Sequence, residues 1–250
     1  MPEQWLPEEP IYLDRRNEPV ARPSRPWSQG DIFQAPLVIL DKPKKPQNEG
    51  EAPDPRSGVK VRNEPVALLG HTCSVRGGAR LAAMQNVAWV RPAKEAELGR
   101  FAEREEQGRP WDSDYKQFPL PEFRDESLWV VDFNVLGTVN FSNLKNQRIA
   151  VLSKEGCAAF RKRYAWHALR IQVDYADLLQ ESTETWNELN LWEIWIEHGL
   201  DEAEFQTVWL EGPLAGSSQY AGTKRRDLLE FAPDVLKDDM PSPTTEDPAQ

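Results

Sequence analysis

The chain has 250 residues, of which 39% are hydrophobic and 10% aromatic, which is enough apolar material for one ordinary domain or two small ones. Its 41 acidic and 30 basic residues give a net charge of −11, and this field repels nucleic-acid phosphates, so DNA is not an expected partner. Because no run of about 18 apolar residues occurs and only two cysteines are present, we expect no membrane span and predict a cytoplasmic protein with reduced thiols.

The N-terminal half is predicted to alternate between strands and proline-rich segments. Residues 1–29 are rich in proline and predict an extended arm, after which a strand begins at Gly30-Asp31-Ile32-Phe33. Residues 41–62 combine proline, glycine and charge, and they predict a mobile inserted loop. Two apolar runs, 66–69 and 87–90, predict buried strands, and the charged residues 94–107 suit an exposed helix.

The C-terminal half is predicted to change from strands to helices. Strands are expected at 128–133 and 148–152, followed by a helix that Ser153 opens. Three further helices are predicted from capping residues and apolar spacing: 186–198 after Thr185, 202–211 after Asp201, and 224–231 after Thr223. We therefore expect a helical extension over residues 176–236 and a disordered acidic tail over residues 237–250.

In their order and spacing, these segments resemble the PemK/MazF family of bacterial toxins, which are small β-barrels that cleave RNA without a metal. Gly30-Asp31-Ile32 resembles the family's opening strand, residues 66–69 and 87–90 stand where two buried strands follow, and residues 127–169 resemble its closing portion. The resemblance implies a mainly β fold with α, in which a PemK/MazF-like, SH3-related β-barrel occupies residues 30–175. His71-Thr72-Cys73 also resembles a motif of uncharacterised bacterial proteins with a Gly-Asp-Ile-Phe start.

Three residues are candidates for catalysis within that resemblance. The family places an Arg-Pro before its second strand, whereas this chain has Glu64-Pro65, which reverses the charge. Arg91 can supply the missing cation from the next strand, and His71 can act as the base. Cys73 shares a face with His71 in an extended segment, so the two form either a nucleophile and base or a structural pair. No metal and no cofactor are predicted, since the remaining histidines and Cys157 lack ligand spacing.

Two groups of side chains are candidates for binding. On the helix after Ser153, Arg161, Lys162 and Arg163 form a basic face that is either solvated or a contact for phosphate or an acidic partner. Trp186, Trp192, Trp195 and Trp209 exceed what one helical stripe can bury, so we expect two of them to pack and the others to contact a partner protein. The helix at 202–211 carries no lysine or arginine, which argues against reading DNA.

Two functions follow from these features. The preferred one is a divergent, non-catalytic toxin-like barrel that serves as a protein-interaction module in a toxin, prophage or defence system. The alternative is an active, metal-independent endoribonuclease that cleaves single-stranded RNA with a site rebuilt around Arg91 and His71. The resemblance also implies pairing of two copies, because barrels of this family commonly form homodimers.

Overall fold

A seven-stranded antiparallel sheet forms the centre of the part of the chain that the structure describes. The structure is a computed structural model, and it describes residues 11–15, 25–40, 59–70, 83–106, 116–124, 127–170, 173–216 and 218–242. The strands are β1 Tyr12–Arg15, β2 Ile32–Leu40, β3 Val59–Leu68, β4 Met84–Pro92, β5 Gln117–Leu120, β6 Trp129–Asn140 and β7 Arg148–Leu152. They are ordered β1-β7-β2-β3-β4-β6-β5 across the sheet.

The helices follow the strands mainly in the second half of the chain. They are α1 Glu95–Glu106, α2 Phe141–Leu144, α3 Lys154–Leu169, α4 Tyr175–Glu197, α5 Glu202–Glu204 and α6 Pro233–Asp238. A π-helical turn, Phe205–Trp209, continues α5, and a 3-10 helix lies at Arg225–Leu228. None of the described helices combines the length and the apolar character that crossing a bilayer requires.

The predicted PemK/MazF-like barrel is wrong for the described residues, because their sheet is open. β1 pairs only with β7 and β5 only with β6, so these two edge strands share no backbone ladder in the described part. Each has only four residues, which leaves little backbone for closing a barrel. The Arg15 side chain lies near the other edge instead, 3.0 Å from the carboxylate of Glu122 and 3.5 Å from the carbonyl of Pro121.

Part of the sheet is a two-stranded ribbon formed by residues 35–40 and 59–65. β2 pairs with β3 along its whole length, but its ladder with β7 covers only Ile32 and Phe33, and β3 pairs with β4 only from Val66 onwards. In the described part of the chain, this ribbon therefore extends beyond its ladders with β7 and β4, while Ala35 and Leu37 on its inner side stay buried. It also corrects the predicted 41–62 loop, since the last four of those residues belong to β3.

Both faces of the sheet are covered near its centre. On one face, Phe33 and Val66 belong to a core that Trp27 and the Phe141 ring help to close. The other face packs against α3 through Phe160, and α3 in turn packs against α4. Helix α3 is thus buried from two sides, which places several of its polar residues in the interior.

Capping explains where the helices begin. Ser153 opens α3 as predicted, and its hydroxyl accepts the Gly156 N–H at 3.0 Å. Helix α4 begins at Tyr175 with Asp174 as its N-cap, so the predicted start after Thr185 is wrong. Asp201 caps α5 as predicted, but Lys224 rather than Thr223 precedes the 3-10 helix, and Lys224 makes no side-chain cap. These caps satisfy backbone donors that the first turn of a helix leaves unpaired.

Candidate functional site

Arg91, the cation of the predicted catalytic site, lies in a buried cluster with two carboxylates. The register of β4 and β6 places Asp132 opposite Trp89, two residues from Arg91, and the first turn of α1 brings Glu97 to the same place. The guanidinium Nη2 lies 2.7 Å from Asp132 Oδ2 and 2.8 Å from Glu97 Oε1. The cluster therefore joins α1 to the centre of the sheet.

Every donor of the Arg91 guanidinium is used within this cluster. A guanidinium has five N–H donors, and Arg91 makes five hydrogen bonds: two with Asp132, two with Glu97 and one with the Pro92 carbonyl. Glu97 also accepts the Lys94 backbone N–H and the Gln117 amide, each at 2.6 Å. The hydrogen bonds from Arg91 lower the pKa of Glu97 to about 2, and those to Glu97 raise the pKa of Arg91.

This saturation bears on the endoribonuclease alternative. A cation that stabilises a phosphorane must have donors free to reach the phosphate, whereas those of Arg91 are all engaged with protein oxygens. His71 and Cys73 lie outside the described residues, so their predicted grouping with Arg91 stays a prediction.

The three basic residues of α3 are buried instead of forming an exposed face. Arg161, Lys162 and Arg163 are 6%, 4% and 3% exposed, because the sheet and α4 enclose this part of the helix. Arg163 donates to the Gln117 carbonyl at 2.9 Å, and Lys162 lies over the Tyr175 ring at 5.8 Å. The expectation of an exposed basic surface on α3 is therefore wrong. The prediction rests on a helix with one buried stripe, whereas the packing of α3 on two sides leaves no local signal in the sequence.

The tryptophans of the helical extension lie largely in a second core. Trp192, Trp195 and Trp209 are 1%, 4% and 7% exposed, and all three rings pack against Phe205. Trp186 is half-buried and has the Arg25 guanidinium 4.2 Å from its ring centroid. Three of the four predicted partner-binding residues thus belong to the interior, where we expected two.

A buried polar network that sequence reasoning missed connects the segment before β2 to the sheet. Asp31 is fully buried, and its Oδ2 accepts the Ser28 N–H at 3.0 Å and an Arg148 N–H at 3.1 Å. Burial raises the pKa of Asp31, although the Arg148 charge opposes this. Arg148 also donates to the carbonyls of Arg25 and Pro26 at 2.9 and 3.2 Å. The available sequence signal for this network was Asp31, a charged residue directly before the apolar strand β2.

Arg25 extends the same network to α4. Its Nη1 donates to Asn190 at 2.8 Å and to Glu193 at 3.0 Å, and the side chain is 1% exposed. Burial lowers the pKa of Arg25, and the hydrogen bond to Glu193 opposes this. Nearby, burial raises the pKa of the Cys157 thiol to about 11, so this thiol is protonated and unreactive at neutral pH.

The ribbon has one side without charged residues, which we call the ribbon face. Val38 and Val61 lie directly opposite each other and are 59% and 65% exposed. The charged Arg62 and Glu64 occupy the other side, because successive residues of a strand alternate between faces. The ribbon face consists of Pro36, Val38, Val61, Asn63 and the buried Pro65, and Gln34 lies opposite Pro65 at its base.

The ribbon face has a positive charge at its base and uncharged residues towards its tip. Gln34 accepts a hydrogen bond from Arg124 at 2.7 Å, so a cation stands at the base of the ribbon, beside the sheet. From Gln34 towards the tip, the residues that share this face are amides, prolines and valines. The ribbon face therefore presents an exposed apolar pair among uncharged residues, with the Arg124 cation at its base.

These features define an open antiparallel sheet with a helical layer, in which the Arg91 and Arg148 clusters are internal and the ribbon face carries an exposed pair of valines. Among the described residues, no group of three or more His, Cys, Asp or Glu side chains is placed to hold a metal ion. No family model matches the sequence, and no curated protein is significantly similar to it. The resemblance to the PemK/MazF family accordingly stays a prediction.

Proposed function

We propose that this protein is a non-catalytic interaction module that binds another protein surface through the ribbon face. The observation that carries the proposal is the exposed Val38–Val61 pair on a strand face without charge. Residues that contact a partner from this face need not give up the hydration of a charged group, which is the most costly part of burying polar surface.

The ribbon face is also accessible from solvent in the way that a binding surface requires. Val38 and Val61 form a non-hydrogen-bonded cross-strand pair, whose side chains are closer together than those of the alternate pairs. They therefore present one continuous apolar contact rather than two separate side chains. Exposed apolar surface of this kind with a polar rim is typical of protein interaction sites.

The Arg91 cluster supports a binding function over the catalytic alternative. Its two carboxylates and one carbonyl occupy every guanidinium donor. Binding RNA there would require breaking buried ion pairs, which is costly because each partner would be left uncompensated. We therefore expect purified protein in EDTA to leave single-stranded RNA uncut above a mock-purified control. Cleavage that co-purifies with the chain and disappears in His71→Ala would contradict the proposal.

The binding function is tested by comparing proteins retained from a lysate of the source organism by three forms of the chain. The forms are the wild type, Val61→Glu and the matched control Val208→Glu, because Val208 is 64% exposed but lies in the helical extension. We expect the wild type and Val208→Glu to retain the same proteins, identified by mass spectrometry, and Val61→Glu to lose them. Identical retention by all three forms would show that the ribbon face is not the binding surface.

A further inference from the structure

We infer that β1 covers a strand-binding groove, and that an extended segment of another protein binds in this groove when β1 is displaced. The groove lies between the outer edge of β7 and the first turn of α3. It is a second binding surface, so the inference does not depend on whether the ribbon face binds protein. Three observations support it: how the groove holds a backbone, how β1 fits it, and which side chains it accepts.

The groove holds a backbone by two means. Three residues of β1 pair with β7 as an antiparallel strand. At the end of this ladder, the Ser153 N–H donates to the Ile11 carbonyl at 2.8 Å. Gly156 leaves room for that carbonyl, since a Cβ on it would lie 2.2 Å from the Ile11 oxygen. Because these contacts are made by main-chain atoms, they suit any extended segment that adds to the edge of the sheet.

β1 fills this groove incompletely. Its register with β7 shifts between Tyr12 and Asp14, and Leu13 at the shift is 40% exposed. The Tyr12 hydroxyl is buried without a hydrogen-bond partner among the described residues, which costs free energy. Within the described sheet, β1 has four residues and pairs only with β7, so its release leaves the other six strands joined. A strand without that hydroxyl would therefore bind the groove more tightly than β1 does.

The side chains of β1 define what the partner segment must carry. Ile11 is 5% exposed, and the Tyr12 ring packs against the same core. Arg15 stands opposite Ala150 and lies 3.0 Å from the carboxylate of Glu122, whose side chain is 79% exposed. The expected segment is therefore an aliphatic residue followed by phenylalanine, with an arginine or lysine placed opposite Ala150.

The test is binding of a fluorescein-labelled peptide to the purified full chain, measured by fluorescence anisotropy. The peptide has the sequence of residues 8–17 with the change Tyr12→Phe. We expect saturable binding to the wild type. In the chain itself, Tyr12→Ala should release β1 and tighten peptide binding about tenfold, since more of the groove is then free. Tyr12→Phe in the chain should secure β1 and weaken peptide binding about fivefold, because the unpaired hydroxyl is gone.

Two further measurements locate the peptide in the groove. Gly156→Ala should abolish peptide binding, whereas the control Gly99→Ala in α1, where an added Cβ meets nothing within 4 Å, should bind like the wild type. Hydrogen exchange of the Ser153 amide reports on strand docking, because that N–H is bonded to β1. The exchange should be slower in Tyr12→Phe than in the wild type, and saturating peptide should also slow it.

The two Tyr12 variants have opposite expected effects, so they keep the test decisive even where Gly156→Ala fails to fold. Peptide binding that neither Tyr12 variant alters, or that a folded Gly156→Ala retains, would overturn the inference. Absence of saturable binding to Tyr12→Ala would do the same. A concentration-dependent dimer that Tyr12→Phe suppresses and excess peptide leaves intact would show that the groove takes β1 of a second copy instead. Partner loss in Val61→Glu tests the ribbon face separately, since that change leaves the groove intact.

Discussion

The Arg91 side chain shows how a buried charge can hold distant parts of a fold together. Arg91 meets two carboxylates that are 6 and 41 residues away in the sequence, and all of its donors are engaged. Its side chain and those of both partners are nearly inaccessible to solvent. Removing one member of such a set leaves the others as uncompensated buried charges, which costs more than the set contributes.

Replacing Arg91 should therefore destabilise the fold whether or not it has any catalytic role. We expect Arg91→Met to lower the free energy of unfolding by about 3–5 kcal/mol, measured by urea denaturation. The control is Arg62→Met, an exposed arginine on the ribbon, which should change this free energy by less than about 0.5 kcal/mol. Equal effects of the two variants would show that the Arg91 cluster is not buried as described. A loss of activity in an Arg91 variant is thus informative only when its stability is known.

The lowered pKa of Glu97 should make the stability of the protein depend on pH in the acidic range. Its pKa is lowered from the ordinary 4.5 to about 2 by the Arg91 hydrogen bonds. A carboxyl with a depressed folded-state pKa stabilises the protein fully above its unfolded value, and this stabilisation is lost as pH falls. We expect Glu97→Gln to be less stable than wild type at neutral pH, with the difference shrinking between pH 4.5 and about 2. Urea midpoints measured across that range test this, and a constant difference would contradict it.

The sequence predicted part of this residue-level picture. It placed Arg91 near the end of a buried strand, which the structure confirms at the β4 terminus. It did not predict the neutralising partners, because Asp132 is brought near by the register of two strands that are distant in sequence. It also assigned Arg161 to a basic surface, because the packing of α4 on α3 has no local signature in the chain.

The edge strands of the sheet are short, and both strands of the ribbon contain a proline. Edge strands expose unpaired backbone donors and acceptors that invite pairing with another chain. β1 and β5 limit this exposure by having only four residues each. The ribbon is longer, and Pro36 and Pro65 interrupt the row of donors along its two edges. The prolines therefore occupy positions where they cost no hydrogen bond to the partner strand.

Restoring a donor at the ribbon edge should change how the protein self-associates. We expect Pro36→Thr to retain the fold, since threonine suits strands and position 36 is exposed, but to self-associate more strongly than the wild type. Light scattering and thioflavin fluorescence at increasing concentration measure this. The control, Asn63→Thr, changes the residue opposite Pro36 without adding a backbone donor, and it should behave like wild type. Identical association of both variants would argue against an edge role for Pro36.

Elements with strong local signals were predicted well. β7 has the predicted bounds, and Ser153 opens α3 as expected. The sequence predicts an extended arm at β1 and a connecting segment at β5, because four residues with a proline nearby give no clear period. Pairing with β7 and β6 is what makes these two segments strands. The start of α4 was placed too late because Thr185 and Glu188 imitate a capping box inside a continuous helix.

The whole molecule has a sheet region and a helical region, each with its own core. The sheet cores involve α2 and α3, whereas Trp192, Phe205 and Leu228 belong to the core of the C-terminal helices. Helix α4 belongs to both regions, since it packs on α3 and also supplies Trp192. Arg25 strengthens this connection by joining the segment before β2 to Glu193 of α4.

A double-mutant cycle should show that this connection contributes to stability. We expect Arg25→Met and Glu193→Gln to be coupled by about 0.5–3 kcal/mol in urea unfolding, as is usual for contacting buried groups. The comparison cycle is Lys237→Met with Asp234→Asn, an exposed pair within α6, which should be coupled by about 0.3–0.5 kcal/mol. A coupling at Arg25 no larger than that of the exposed pair would show that the regions are held together by α4 alone.

The position of β1 at the sheet edge has a consequence for synthesis on the ribosome. Tyr12 pairs with Leu152, so its partner is made 140 residues later, as the difference between the two positions shows. At 5–20 residues per second, β1 waits roughly 7–30 s before β7 exists to receive it. The Ile11 carbonyl must then dock against the start of α3, where a Cβ on Gly156 would lie only 2.2 Å away from it. One of the first described segments to be made is thus among the last to be incorporated. In nascent chains shorter than about 150 residues, β1 has no partner strand and is a segment that chaperones would have to protect.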